Sequence, residues 1–262
     1  MATSRDADPG TPAPLTSGAF WRDFWESSGA SLHRGGIDPF RFEGLLRKAI
    51  DARGYRTFID IGGFPGHYVA LAQTKLGLDP VLLDTYVDRK VVDALFTEYG
   101  VDATRVRLIE GDVFTRDPGT FDVVMSVGFI EHFEDFEKVL GRHVELLAPN
   151  GLLFITVPNL RGSLNGFFQR HYDPELLALH NLDAMDPQRL RASALTLGLV
   201  DVQVLYHGSF GVWLHHPERY PRWLRFTVRV LNWGGRLIRA TRLNAKITSP
   251  HVVLFGYRRP NA

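Results

Sequence analysis

Between residues 57 and 157, short apolar runs alternate with stretches whose apolar positions recur every three or four residues. The runs fall at 57–61, 80–84, 106–110, 121–127 and 151–157. Helical spacing follows the first run to about 75, the second to about 99, and the fourth from about 133 to 147. Runs rich in Ile, Val, Leu and Phe predict strands buried on both faces, and strand–helix alternation predicts an α/β fold with a parallel sheet covered by helices on both sides. The rhythm breaks after Pro158 and resumes with a helix over about 186–197 and strands at 199–207 and 250–257. Long insertions after a strand's carboxyl end commonly build substrate sites.

Ahead of the sheet, Phe20, Trp21, Phe24 and Trp25 recur at helical spacing. They predict a short helix with an aromatic stripe that either packs on the core or forms a lid over a ligand. A second helix is expected over about 39–53, with Leu45, Leu46 and Ile50 on one side and Gly54 as its stop. Residues 1–17 hold acidic residues and prolines where a secretory signal needs a basic start and an apolar run, so they read as a disordered tail. The expected organisation is a tail at 1–17, a helical cap at 18–55 and one domain at 56–262. That domain carries insertions at about 160–185, on the acceptor side, and at 215–247.

A length of 262 residues with 45% hydrophobic content suits one large core. The chain has no cysteine, which excludes disulfides, thiolate metal sites and cysteine nucleophiles and makes the cytoplasm the expected compartment. No run of about 18 apolar residues marks a membrane span. The net charge of +1 gives no reason to invoke nucleic acid. Charge is nevertheless uneven. Residues 219–246 contain basic and no acidic side chains, and Arg222, Arg225, Arg229, Arg236 and Arg239 fall into one row at helical spacing. Trp223, Leu224, Val230, Leu231, Leu237 and Ile238 surround that row, and Gly234 and Gly235 are expected to kink or split the helix. Three readings stand open: a helix packed on the core with a solvated basic face, an interfacial helix on anionic membrane at the inner face, or a cover whose arginines grip a phosphate of the acceptor.

The chemistry begins at FIDIGGFPGHYVALA, from Phe58, which reads as a buried strand, a tight turn and a helix start. Gly62 and Gly66 lack the Cβ that would hold a ligand away from the backbone, and the helix start offers unpaired N–H groups. The spacing is not the G-x-G-x-x-G of dinucleotide binding, which argues against a nicotinamide oxidoreductase. Asp60 would oppose a phosphate, but it can attract the cationic amino and sulfonium end of S-adenosyl-L-methionine.

The run from Asp60 to Gly66, with Gly63 between, resembles the first motif of class I S-adenosylmethionine-dependent methyltransferases, with Phe64 standing where the middle glycine would be. Asp84, closing the second strand beside Thr85, matches the carboxylate that accepts both ribose hydroxyls. Asp112 resembles the family's acid for the adenine amino group, and Val113 the backbone donor to the ring. The fourth strand, FDVVMSVGFIEH, and the fifth, LLAPNGLLFITVPN, also resemble family segments. The end of the fourth strand, with Ser126 and Phe129, is then expected beside the transferred methyl group. The resemblance implies a Rossmann-like, doubly wound, seven-stranded sheet, mostly parallel with an antiparallel last strand.

Methyl transfer to a hydroxyl needs alignment, exclusion of water and a base. His132, in the I-E-H run with Glu131, is the leading base; the alternative is that it only packs in the cofactor wall. The run resembles the E-x-x-E-H of some metal-assisted hydroxyl methyltransferases, but Gly128 replaces the first glutamate, so no metal is expected. His171, Tyr172, His180 and Asn181 lie in the insertion where an acceptor would sit. The expected reaction is O-methylation of a small-molecule or glycan acceptor. Carbon or nitrogen transfer, or a cofactor-binding regulatory protein without catalysis, are the alternatives.

Overall fold

A computed structural model describes residues 11–27, 41–50, 53–214, 219–241 and 243–260. Seven strands of these residues form one sheet: β1 Thr57–Ile61, β2 Asp79–Asp84, β3 Arg107–Glu110, β4 Phe121–Val127, β5 Leu147–Pro158, β6 Val200–His207 and β7 His251–Tyr257. The order is β3-β2-β1-β4-β5-β7-β6, and β7 runs antiparallel to both neighbours while the β3-to-β5 block is parallel. The order reverses between β1 and β4, the place where open α/β sheets bind ligands at their carboxyl edge.

Side-chain alternation sends each strand into two cores. Ile59, Ile61, Val124, Leu153, Ile155, Val252 and Leu254 meet α5 (Phe136–Glu145) and α8 (Pro187–Thr196) through Val139, Leu140, Leu190 and Ala194. Phe58, Val123, Met125, Leu152, Phe154 and Val253 face the other way, onto α2 (Glu43–Ile50) and α3 (His67–Leu76) through Leu46, Ala49, Leu71 and Ala72. Each such fully buried Leu, Val or Phe stabilises the fold by about 1.5–3 kcal/mol. A third cluster joins α3 to α4 (Arg89–Tyr99) through Val69, Leu82, Val92, Leu95 and Phe96.

Several boundaries differ from expectation, for local reasons. The helix expected from 133 starts at Phe136, because the Asp135 side chain accepts from Lys138 N–H as its cap. Residues 130–132 form a separate single turn at the end of β4. The end of the expected tail is also ordered: Leu15 N–H donates to the His132 carbonyl, and Glu134 N–H to that of Ala13. Positions 1–10 lie outside the described residues. The helix expected over 39–53 spans Glu43–Ile50 among the described residues, its outer positions 39–40 and 51–52 lying outside them.

The insertion after β5 holds α6 (Leu164–Tyr172), α7 (Pro174–Leu177) and a turn at Leu182–Met185. The basic segment forms α9 (Arg222–Thr241), one continuous helix. Its glycines do not split it. Gly235 instead lets the helix approach Phe210, whose ring would lie 2.1 Å from any Cβ there.

Candidate active site

The loop between β1 and α3 is shaped around a carboxylate. Asp60 is 1% exposed and neither side-chain oxygen has a hydrogen-bond partner among the described residues. A Cβ on Gly63 would fall 2.5 Å from Asp60 Cγ, so only glycine lets the loop close over it. Burial first, and the Asp84 carboxylate second, push the Asp60 carboxyl well above the usual carboxylate range. Gly62 has φ +66°, donates N–H to the Leu83 carbonyl at 2.8 Å, and leaves room for the Phe129 ring. Gly66 caps α3 at φ +109°. Phe64, in place of the middle glycine, turns its ring into the α3–α4 cluster between Trp25 and Tyr86.

Asp84 ties that loop to the next strand. Its Oδ2 accepts Phe64 N–H at 3.1 Å, and its Oδ1 accepts Tyr86 N–H at 3.1 Å and the Thr85 hydroxyl at 3.5 Å. Burial raises its pKa while these donors pull it down. A carboxylate has about four acceptor sites, so ribose hydroxyls can still be received, though Asp84 also organises the loop. Gly111 N–H donates to the Asp84 carbonyl at 2.8 Å, which sets Asp112 next to this group. Asp112 Oδ1 accepts Phe114 N–H at 2.9 Å, and buried Val113 gives its carbonyl to Arg142. The three carboxylates thus lie at or just past the carboxyl ends of the neighbouring strands β1, β2 and β3.

At the end of β4, Ser126 is fully buried and pairs in register with Ile61 and Ile155; its hydroxyl lacks a partner among the described residues. Glu131 is 1% exposed, and burial pushes its pKa up to about 8. Its Oε2 has no partner among the described residues. His132 Nδ1 lies 3.0 Å from the Leu179 carbonyl, which makes Nδ1–H the donor and Nε2 the basic nitrogen of the neutral ring. The His180 ring lies 4.7 Å away, its own Nδ1 on the Leu176 carbonyl, and burial lowers its pKa.

Over this corner lies α1 (Gly18–Ser27), with Trp21 edge-on to His132 at 4.9 Å and Trp25 edge-on to Phe64 at 5.2 Å. The aromatic stripe packs on the fold, Trp25 against the α3–α4 cluster, and with Trp21 it walls the β1 and β4 ends. That role for Trp21 and Trp25 was not legible, because a helical stripe does not say what it covers. Buried Thr156, whose hydroxyl has no partner among the described residues, was also missed; only its register beside Val127 reveals it.

The insertion residues separate. His180 joins His132, whereas His171 is exposed on α6 with its ring 4.2 Å from Phe167, and the structure does not bring it to the site. Tyr172 is likewise exposed and meets Trp223. Asn181 is structural: its amide donates to the Phe133 and Glu134 carbonyls, and its backbone N–H to that of Glu131.

A cationic ligand fits this chemistry. At the ends of adjacent strands, Asp60, Ser126, Glu131 and Thr156 carry buried polar atoms without partners among the described residues, and buried polar atoms need partners. The amino and sulfonium groups of S-adenosylmethionine would answer the buried Asp60 carboxylate, and Asp84 and Asp112 would hold the nucleoside.

Comparisons agree. Residues 38–203 match a family described as "Methyltransferase domain". A ubiquinone biosynthesis O-methyltransferase of Xanthomonas euvesicatoria pv. vesicatoria (strain 85-10) is 27% identical over 138 residues, 52% of this chain and 56% of that protein. The chain thus matches little more than half the length of this relative. Among solved structures, phosphoethanolamine N-methyltransferase 2 of Haemonchus contortus, in complex with phosphomonomethylethanolamine and S-adenosylhomocysteine, aligns with TM-score 0.59 and 18% identity over 95% of this chain and 62% of that one. A SAM-dependent methyltransferase from Archaeoglobus fulgidus aligns with TM-score 0.54 and 16% identity over 91% and 100%. With a family match across well over half its length, on a sheet of this order, the chain belongs to the class I methyltransferases, whose methyl donor is S-adenosylmethionine.

Proposed function

We propose that the protein methylates a hydroxyl oxygen of a small molecule, such as a sugar, glycan or secondary metabolite. The observation that carries this reading is the setting of His132. Its Nδ1–H donates to the Leu179 carbonyl, which fixes the ring at the end of β4 in the tautomer whose basic nitrogen is Nε2. A hydroxyl must lose its proton as it is alkylated, and imidazole is the side-chain base whose chemistry suits that task. The activity of the Xanthomonas relative, an O-methyltransferase, supports the same atom type.

S-adenosylmethionine, when bound, supplies an electrophilic methyl group on a sulfonium. The rest falls to the chain. Asp60 holds the cationic end through a carboxylate that is dry and close to Asp84. Phe129, against Gly62, and Trp21, against His132, wall the reacting corner with rings and exclude water. His180 packs on His132 and keeps its ring from turning. Glu131, its carboxyl neutral below about pH 8, supports the turn beneath His132 and is not needed as a second base.

Incubating the purified protein with isotopically labelled S-adenosylmethionine and a panel of phenolic and glycosidic hydroxyl acceptors tests the reading. Products should carry label on oxygen, and the His132→Ala variant should lose it. Label found on nitrogen or carbon, or cofactor binding without transfer to any metabolite of a small-molecule extract, would overturn it.

A further inference from the structure

Helix α9 has two apolar stripes. Leu224, Val228, Leu231, Gly235 and Ile238 face inward, onto Phe168 of α6 and onto Phe210 and Val212. The second stripe steps by three and four residues through Trp223, Phe226, Val230, Trp233 and Leu237, and it is exposed, by 57% at Trp223, 70% at Trp233 and 78% at Leu237. Past the helix Leu243 and Ile247 are also exposed, and Tyr172 of α6 adjoins the stripe at Trp223. Large exposed apolar side chains are otherwise scarce: among the described residues outside α6 and 223–247, only Leu195 is one. A contiguous apolar patch of this kind marks an interaction surface.

Charge identifies the occupant. At 100° per residue, Arg222, Arg225, Arg229, Arg236 and Arg239 run along one edge of the exposed stripe. Residues 219–246 hold eight of the chain's thirty basic residues and none of its twenty-nine acidic ones. Arg222, Arg225, Arg229 and Phe226 also line an open cavity of about 370 Å³. A second copy packing through the same helix would bring another arginine row and no acid of that segment to meet it. A nucleic acid would engage the arginines and leave the tryptophans and leucine wet. An anionic bilayer surface satisfies both, receiving rings and aliphatic groups at the headgroup boundary and guanidinium groups on phosphates. Spanning is excluded for this helix, since no helix among the described residues is long and apolar enough to cross a membrane.

We propose that α9 is an interfacial helix that seats the protein on bilayers bearing anionic headgroups, with the exposed stripe inserted and the arginine row on lipid phosphate. The inference is independent of which acceptor is methylated. Flotation of the full chain with vesicles of phosphatidylcholine alone, or with about 30% phosphatidylglycerol, tests it. Binding is expected to the anionic vesicles and to weaken steeply with salt. Replacing Arg222, Arg225 and Arg229 by Gln should weaken it roughly a hundredfold. The double variant Trp233→Ser, Leu237→Ser should also release the protein, with an unchanged circular dichroism spectrum because both side chains are exposed. No binding to anionic vesicles at low salt overturns the proposal. So does binding that survives both sets of substitutions, or a dimer in vesicle-free solution that the Trp233→Ser, Leu237→Ser variant dissociates.

Discussion

The Cβ that Gly63 lacks would stand 2.5 Å from Cγ of Asp60. The loop can therefore close over the buried carboxylate only with glycine at this position, and Gly63→Ala must displace one or the other. The expected outcome is a loss of S-adenosylmethionine affinity of about a hundredfold or more, measured by calorimetry. Asp60→Asn keeps the shape and removes the charge, and should cost roughly ten- to a hundredfold, the worth of one charge-assisted contact.

The same carboxylate makes binding depend on pH. In the free protein, burial and Asp84 raise the Asp60 pKa, so it retains its proton above the ordinary carboxylate range. A cation favours the ionised form, so binding expels that proton and affinity increases as pH rises toward the free-protein pKa, by up to about tenfold per unit. The slope is best read on the acid side of the point where the cofactor's α-amino group loses its charge. Asp60→Asn should flatten it. A wild-type dissociation constant with no pH slope would sink the assignment of Asp60.

His132 and its cover separate chemistry from binding. His132→Ala should reduce kcat by about 10²- to 10⁴-fold, with cofactor affinity unchanged. Trp21→Ala removes the ring at 4.9 Å from His132 while the Leu15 to His132 backbone bond persists. About a tenfold fall in kcat/KM is expected for it, from lost orientation and water exclusion. Unchanged turnover in a folded His132→Ala protein would remove the histidine from the base role.

How much of this was legible beforehand follows from the range over which each signal acts. Strand positions come from periodicity and hold, and the glycine loop and the three carboxylates come from turns of a few residues. The cover does not, because Trp21 meets His132 and Trp25 meets Phe64 only through the tertiary fold. His171 and His180 share an insertion and a residue type, yet α6 turns the first outward while the turn after α7 carries the second to His132. The helix expected at 133 shortens because a local cap, Asp135, competes successfully with the apolar period.

Glu131 predicts an unusual stability profile. Its ordinary pKa of 4.5 rises to about 8 in the fold, so between those values the folded chain binds the proton that the unfolded chain has released. The contribution is fully present below about pH 4.5 and is lost as pH rises through about 8, at close to 1.4 kcal/mol per unit. His143 works in the opposite sense. Burial lowers its pKa from 6.5 to about 4, so its contribution is present above 6.5 and lost as pH falls through 4. Denaturant unfolding at several pH values checks both. The stability difference between Glu131→Gln and wild type should grow from pH 5 to pH 8, and a parallel pair of curves would contradict the buried neutral carboxyl.

The adjacent glycines of α9 should respond with opposite signs. A Cβ at Gly234 meets nothing within 4 Å, so Gly234→Ala reduces the entropy lost on forming the helix and should stabilise by up to about 1 kcal/mol. A Cβ at Gly235 would fall 2.1 Å from the Phe210 ring, in the cluster that holds α9 on α6. The same helical gain applies there, but overpacking against a buried aromatic costs more, and Gly235→Ala should destabilise by about 1–3 kcal/mol. Chemical unfolding midpoints of the two variants decide the matter. Equal shifts of the same sign would mean that Gly235 marks no close contact and that α9 is docked some other way.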